Sequence, residues 1–299
     1  MLISVDQKEL ICNLRYVKCC DYYYSYNEWL DHGKECKTVI NHSLLEQINN
    51  DTRECIIIYC RTDHIVTIFK MCESINKRFV LVSGSSDIPI NDSLYKQKPN
   101  NIVKWFAINI NCRYKDLISL PMGTLSGTWI GNNKYDSEIY NHINYKPVIT
   151  DGKESINTNL VFMCFTIGTN NSERSKVYNY FNDKNWVTNL CQHKTGKYLE
   201  HSEFMNNVFN HKFTICPLGN GIDCGRTWTA LQLGSIPILK NHICFQDWPQ
   251  HIPIILYDDL SEITEDFLLK KIEEFKTKKY DYNYLKTSYW KSRFEIERQ

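Results

Sequence analysis

Phe213-Thr-Ile-Cys-Pro-Leu-Gly-Asn-Gly-Ile-Asp-Cys-Gly-Arg-Thr-Trp-Thr-Ala-Leu-Gln-Leu-Gly-Ser-Ile-Pro-Ile-Leu239 is the stretch on which the fold of this chain turns. Phe213, Ile215 and Cys216 make a buried strand that Pro217 halts. Gly219, Gly221 and Gly225 punctuate a loop able to take positive φ and to let a ligand approach the backbone. Trp228, Ala230, Leu231 and Leu233 then support a short helix from Arg226, which Gly234 ends, and Ile236 to Leu239 is strand again. Strand, loop, helix and strand form a βαβ unit, and its loop lies where open α/β sheets bind ligands. The free N–H groups and partial positive charge of the helix N-terminus suit a phosphate.

Two nucleotide motifs nearly fit and fail. A Walker loop places four residues between its first Gly and Gly-Lys-Ser/Thr; here Gly219 stands one residue too far from Gly225-Arg226-Thr227, and Lys is replaced by Arg. The dinucleotide fingerprint wants Gly or Ala where Cys224 stands. What remains is an anion-facing loop with Arg226 in the first helical turn, where the dipole disfavours a cation unless an anion compensates it. The other reading is a tight turn whose Arg caps a carbonyl or pairs with Asp223.

The order Cys216-Pro217-x-Gly219-Asn220-Gly221-x-Asp223-x-x-Arg226-Thr227-Trp228-x-Ala230-Leu231-x-x-Gly234-x-Ile236-Pro237-Ile238 resembles the nucleotide-sugar half of exostosin-like glycosyltransferases. That resemblance implies two Rossmann-like domains facing across a cleft (GT-B), with a final helix crossing back to the first domain. It implies donor-binding roles for Pro217, Gly219, Asn220, Gly221, Asp223, Arg226 and Thr227. The family usually carries Glu after the Trp to hold the donor ribose, whereas this chain has Thr229. Thr169-Asn170-x-x-Glu173-Arg174 also resembles the family, and Arg174 repeats the placement of Arg226 at a strand-to-helix turn. A shared diphosphate explains both cations; the alternative is a solvated Arg174 paired with Glu173 or Asp183.

Working outward, Cys55 to Cys60, Arg78 to Val82, Val103 to Ile110 and Leu117 to Leu120 are short apolar strands. Helix-length or polar segments separate them, including Ile65, Ile68, Phe69 and Cys72 at helical spacing, so a doubly wound α/β domain is expected over residues 1–120. Tyr22-Tyr23-Tyr24-Ser25-Tyr26 with Trp29 is either an amphipathic packing segment or an acceptor surface. Pro121-Met122-Gly123 resembles the Pro-Ile-Gly that follows the crossing strand in similar transferases, so the domain junction is expected near it, and a polar stretch follows to Thr158. Leu160 to Thr166 opens a second strand series, with Ser172 expected to cap the helix running to Phe181. Ile252 to Tyr257 is another strand, after which Asp258-Asp259 either touches a ribose or caps a helix. The nucleotide-sugar domain spans 121–280, and 281–299 forms the returning helix.

Composition narrows the function classes. The 299 residues are 42% hydrophobic and 23% charged, with a net charge of +1, so a nucleic-acid partner has little electrostatic support. Thirteen cysteines, an odd number with no Cys-x-x-Cys, fit neither a disulfide framework nor a zinc site. No apolar run approaches ~20 residues, and the opening Met-Leu-Ile-Ser-Val-Asp-Gln-Lys lacks a signal-peptide profile. The expectation is a soluble cytoplasmic protein, a short microbial or viral form of the family.

No Asp-x-Asp is present, so no metal is expected, nor any cofactor beyond the nucleoside diphosphate sugar as co-substrate. The resemblance implies an inverting transfer to a hydroxyl of a glycan or glycoconjugate, which needs a general base. Asp87, closing a first-domain strand, is the first candidate, with Asp63 and His64 one strand away; an Asx-turn or cap is the other role for Asp87. Two further functions stay open. One is a non-catalytic nucleotide-sugar or glycan-binding protein; the other is an α/β phosphate-binding enzyme such as a kinase.

Overall fold

The computed structural model describes residues 9, 11–24, 42–124 and 159–299. They fall into two units, each α/β with a five-stranded parallel sheet of the Rossmann type. One comprises the described residues up to 124 with Leu285–Gln299, the other residues 159–284.

In the first unit α1 (Asn13–Val17), β1 (Tyr22–Tyr24), α2 (His42–Asn50), β2 (Cys55–Arg61), α3 (Ile65–Glu73), β3 (Arg78–Gly84), α4 (Asp92–Tyr95), β4 (Ile102–Ala107) and β5 (Leu117–Ser119) follow in turn. All five strands are parallel and ordered as in the sequence, β1-β2-β3-β4-β5. β2 and β3 are buried almost throughout, the mark of parallel strands covered on both faces. Tyr22 to Tyr24 is the half-buried edge strand, while Tyr26 and Trp29 lie outside the described residues. β4 stops at Ala107, short of the expected Ile110, because Asn109 takes a left-handed φ of 61°.

The second unit runs β6 (Asn159–Met163), α5 (Asn171–Phe181), β7 (Val187–Asn189), α6 (Gln192–Thr195), α7 (His201–Asn210), β8 (His211–Ile215), α8 (Gly225–Gln232), β9 (Ile236–Lys240), β10 (Ile255–Tyr257) and α9 (Glu265–Thr277). Its strand order is β7-β6-β8-β9-β10. Val161, Met163, Phe213, Ile215 and Ile238 pack there with Val177 and Phe181 of α5 and with Leu268 and Phe275 of α9. The segment Gln192 to Gly196 holds a single helical turn closed by left-handed Gly196. Asp259 caps the turn at Leu260–Glu262 through a capping box, and Asp258 accepts from Asn241 at 2.9 Å.

The last helix, α10 (Thr287–Arg298), completes the first unit. Trp105 and Phe106 are neighbours on β4 and therefore face opposite sides of the sheet. Trp105 meets Phe69 of α3 edge-on at 5.4 Å, and Phe106 meets Phe294 of α10 at 4.8 Å. The two helices thus cover the two faces, and Arg298 of α10 donates to Asp21 beside β1 at 2.6 Å.

Candidate active site

The strand order of the second unit decides where a ligand can sit. β6 is followed outward on one side by β7 and on the other by β8, so the connections diverge and leave a crevice beyond the carboxyl ends of β6 and β8. The loop after β6 leads to α5, and the glycine loop after β8 leads to α8.

Side chains tie these two loops together. Asn170 caps α5, its Oδ1 accepting from the Glu173 N–H at 3.4 Å, while its Nδ2 donates to the Gly219 carbonyl at 2.9 Å. Asn170 and not Ser172 is therefore the cap; Ser172 donates to Asn170 Oδ1 instead. Arg174, only 5% exposed, donates through Nε to the Leu218 carbonyl and through Nη1 to the Thr166 carbonyl, both at 2.8 Å. Its guanidinium lies 5.8 Å from the Phe165 ring centre. Arg174 is not the solvated residue that a pairing with Glu173 or Asp183 requires; Glu173 is bound to Lys240 at 3.0 Å.

Gly219 explains itself by space. A Cβ there would stand 3.1 Å from Arg174 Nη2. Neither it nor Gly221 nor Gly225 takes a positive φ, so left-handed backbone is not what this loop needs its glycines for.

Arg226 stands in the first turn of α8, and its Nε is buried without a hydrogen-bond partner. Its charge is felt by Cys164, Cys191 and Cys216, which follow β6, β7 and β8, so the guanidinium lies by the carboxyl edge of three strands. Burial pushes those thiols up, Cys191 to about 11, and Arg226 offsets a part. Burial also pushes Arg174 down to about 10, and the positive charge of Arg226 adds to the shift. Two cations at a switch crevice, both near helix N-termini, are a poor arrangement unless an anion joins them.

The remaining predicted donor residues divide. Thr169 and Asn220 are exposed on the two loops. Pro217, Gly219 and Gly221 are buried in the glycine loop. Asp223 accepts from Trp228 Nε1 at 2.9 Å with both oxygens, which fixes the loop to α8. Thr227 is fully buried and Thr229 is 4% exposed, both within α8. Phe165 beneath Arg174, and Lys240 at the end of β9, were not singled out from the sequence. A lone Lys closing the apolar run Ile-Pro-Ile-Leu was the available signal for the second.

Asp87, Asp63 and His64 belong to the first unit. Asp63 is paired with Arg61 at 3.2 Å, and His64 lies edge-on to Tyr24. Asp87 is exposed on the loop after β3, and the cap of the following helix is Asn91. Two non-glycine residues with left-handed backbone shape this loop, Ser85 at φ 51° and Asn109 at φ 61°. Asn109, 1% exposed, donates to the Ser86 carbonyl and accepts from the Ile90 N–H, both at 3.0 Å. Costly backbone of this kind persists where something else holds it and gathers at functional sites.

The family described as RXYLT1 C-terminal domain matches residues 143–256, the span containing both loops. The chain is 22% identical to ribitol-5-phosphate xylosyltransferase 1 of Danio rerio over 135 residues, covering 42% of this chain and 27% of that protein. The alignment thus spans about a quarter of the length of that relative. Among solved structures, an alpha1,3-fucosyltransferase superimposes with a TM-score of 0.45 at 12% identity, over 92% of this chain and 90% of that one. Among the described residues no helix is long and apolar enough to cross a membrane.

Proposed function

We propose that this chain is a glycosyltransferase moving a sugar from a nucleoside diphosphate sugar to a hydroxyl of a glycan or glycoconjugate, with inversion and without a metal. The observation that carries the reading is the pair Arg174 and Arg226 at the switch crevice, the second with a buried donor that has no acceptor. The match of this same span to a xylosyltransferase relative supports it.

In this reading the diphosphate sits between the α5 and α8 N-termini. Arg226 donates to a phosphate oxygen, and Arg174 supplies charge while holding Leu218 and Thr166 in place. Charge grows on the leaving diphosphate as the glycosidic bond breaks, so fixed cations there lower the barrier as well as aid binding. Asp87 takes the proton of the attacking hydroxyl. The exostosin-like subtype, a short microbial or viral origin and a cytoplasmic location belong to the same proposal. The name of the relative makes a pentosyl donor and a polyol-phosphate acceptor the first to assay.

Turnover of a nucleotide-sugar panel, with release of free nucleoside diphosphate as the readout, tests the activity. Titration calorimetry of uridine diphosphate with excess chelator tests the metal. Binding is expected to persist on chelation, and its loss would end the metal-free mechanism. Binding of nucleotide sugars without turnover on any acceptor would leave a non-catalytic binding protein.

A further inference from the structure

Cys216 ends the strand side of the glycine loop, and Cys224 is the N-cap residue of α8 on its other side. Together they bracket the seven residues Pro217 to Asp223. Thr227 Oγ1 lies 3.7 Å from Cys224 Sγ, and both Thr227 and Cys224 act on the buried Cys216 thiol, which itself donates to the Thr214 carbonyl at 3.4 Å. Cys224 Sγ further lies 3.9 Å from the carbonyl oxygen of Pro217, the residue next to Cys216. Cys224 is partly exposed, whereas Cys216 is fully buried.

We propose that Cys216 and Cys224 form a reversible disulfide across the base of the glycine loop, which makes the loop a thiol–disulfide modification site. A low-molecular-weight disulfide is the oxidant. The Cys224 thiolate attacks one of its sulfurs and expels one small thiolate. Cys216 then gives up its proton and attacks the Cys224 sulfur of the mixed disulfide, expelling the second. Two protein thiols are oxidised, one small disulfide is reduced to two thiols, and the two protons pass to the departing thiolates. The partly exposed Cys224 sulfur is the one a small disulfide can reach, and the buried Cys216 sulfur resolves the mixed disulfide. Burial holds the Cys216 thiol well above its ordinary range, so the second step is the slow one.

The new bond takes Cys224 away from Thr227 and reorients the turn that carries Arg226. Oxidation is therefore expected to weaken nucleoside diphosphate binding by about 10-fold or more, the scale of one charge-assisted contact. The pairing does not depend on the donor assignment; the effect on binding does rest on it.

The experiment incubates the full chain with oxidised glutathione, alkylates the free thiols after denaturation, and maps linked peptides by mass spectrometry. A Cys216–Cys224 peptide that disappears with dithiothreitol is expected, and it should be missing from Cys224→Ser. Serine is a favoured N-cap, so that variant keeps its fold. A freely alkylated Cys216 in the oxidised sample, or glutathione held only on Cys224, overturns the proposal. In parallel, thermal stabilisation by uridine diphosphate is read before and after reduction. A linked peptide with equal stabilisation in both states removes the coupling to the loop. A linked peptide with no stabilisation in either state upholds the thiol pair and sinks the diphosphate reading instead.

Discussion

Arg174 and Arg226 carry like charges within electrostatic reach of each other, and burial makes that expensive before any ligand arrives. Because the folded pKa of Arg174 lies below its ordinary value, the native state holds that proton less tightly than the unfolded chain. Below pH 10 the group therefore subtracts stability, and removing the neighbouring charge returns a part. Arg226→Ala is expected to leave the stability of the free protein unchanged or raised by about 1 kcal/mol at most, since burial is the larger cause, so its melting temperature should not fall. The same variant should lose about 10- to 100-fold in kcat/KM and in uridine diphosphate affinity. A fall in melting temperature with normal turnover per folded molecule would make Arg226 a structural cap. Asp87→Asn should lower transfer by about 100-fold or more and leave nucleotide affinity nearly unchanged. Near-normal turnover would pass the role to His64 or to Asp63, which is paired with Arg61, or leave no side-chain base at all.

At the scale of elements, α5 and the glycine loop are joined by few atoms. Asn170 serves the α5 cap and the Gly219 carbonyl at once. Asn170→Ala is expected to cost about 1–2 kcal/mol in denaturant melts, the usual worth of a cap with one added hydrogen bond. Asn170→Ser should recover the cap but not the reach to Gly219, so stability returns while nucleotide affinity stays low. Equal recovery of both would show that the cross-loop bond has no part in binding. The cap itself was legible only to within two residues. Asn170, Asn171 and Ser172 are all acceptable caps, and the choice is made by which side chain also finds the neighbouring loop. The glycines read correctly as a loop, but none of the three takes the expected positive φ, and the Arg174 side chain that needs the room at Gly219 comes from 45 residues earlier. Sequence spacing carries no information on such contacts.

For the molecule as a whole, the central strands such as β2 and β3 announced themselves as short apolar runs, since both of their faces are covered, whereas the half-buried edge strands β1 and β7 did not. Which strands adjoin was not written in those runs. The order β7-β6-β8 follows from packing, and with it the location of the crevice. The tail read as a helix; its contacts show what it is for. Phe294 is fully buried against Tyr16 and Phe106, and Phe294→Ala is expected to cost about 3–5 kcal/mol. Hydrogen exchange resolved by peptide should show the loss across β2, β3 and β4, with β6, β8 and β9 little affected. Uniform loss over both sheets would mean that the two units unfold together.

The place of α10 has a consequence for how the protein comes into being. Translation delivers β1 through β5 first, yet one face of their sheet awaits Trp290 and Phe294. The strands of residues 159–284 emerge later, and their unit ends at Tyr284, before α10 begins. Domains ordinarily fold in the order of their synthesis. Here the part made first stays uncovered until residues 287–298 have followed residues 159–284 out of the ribosome, and in that interval its apolar face is what a chaperone would meet.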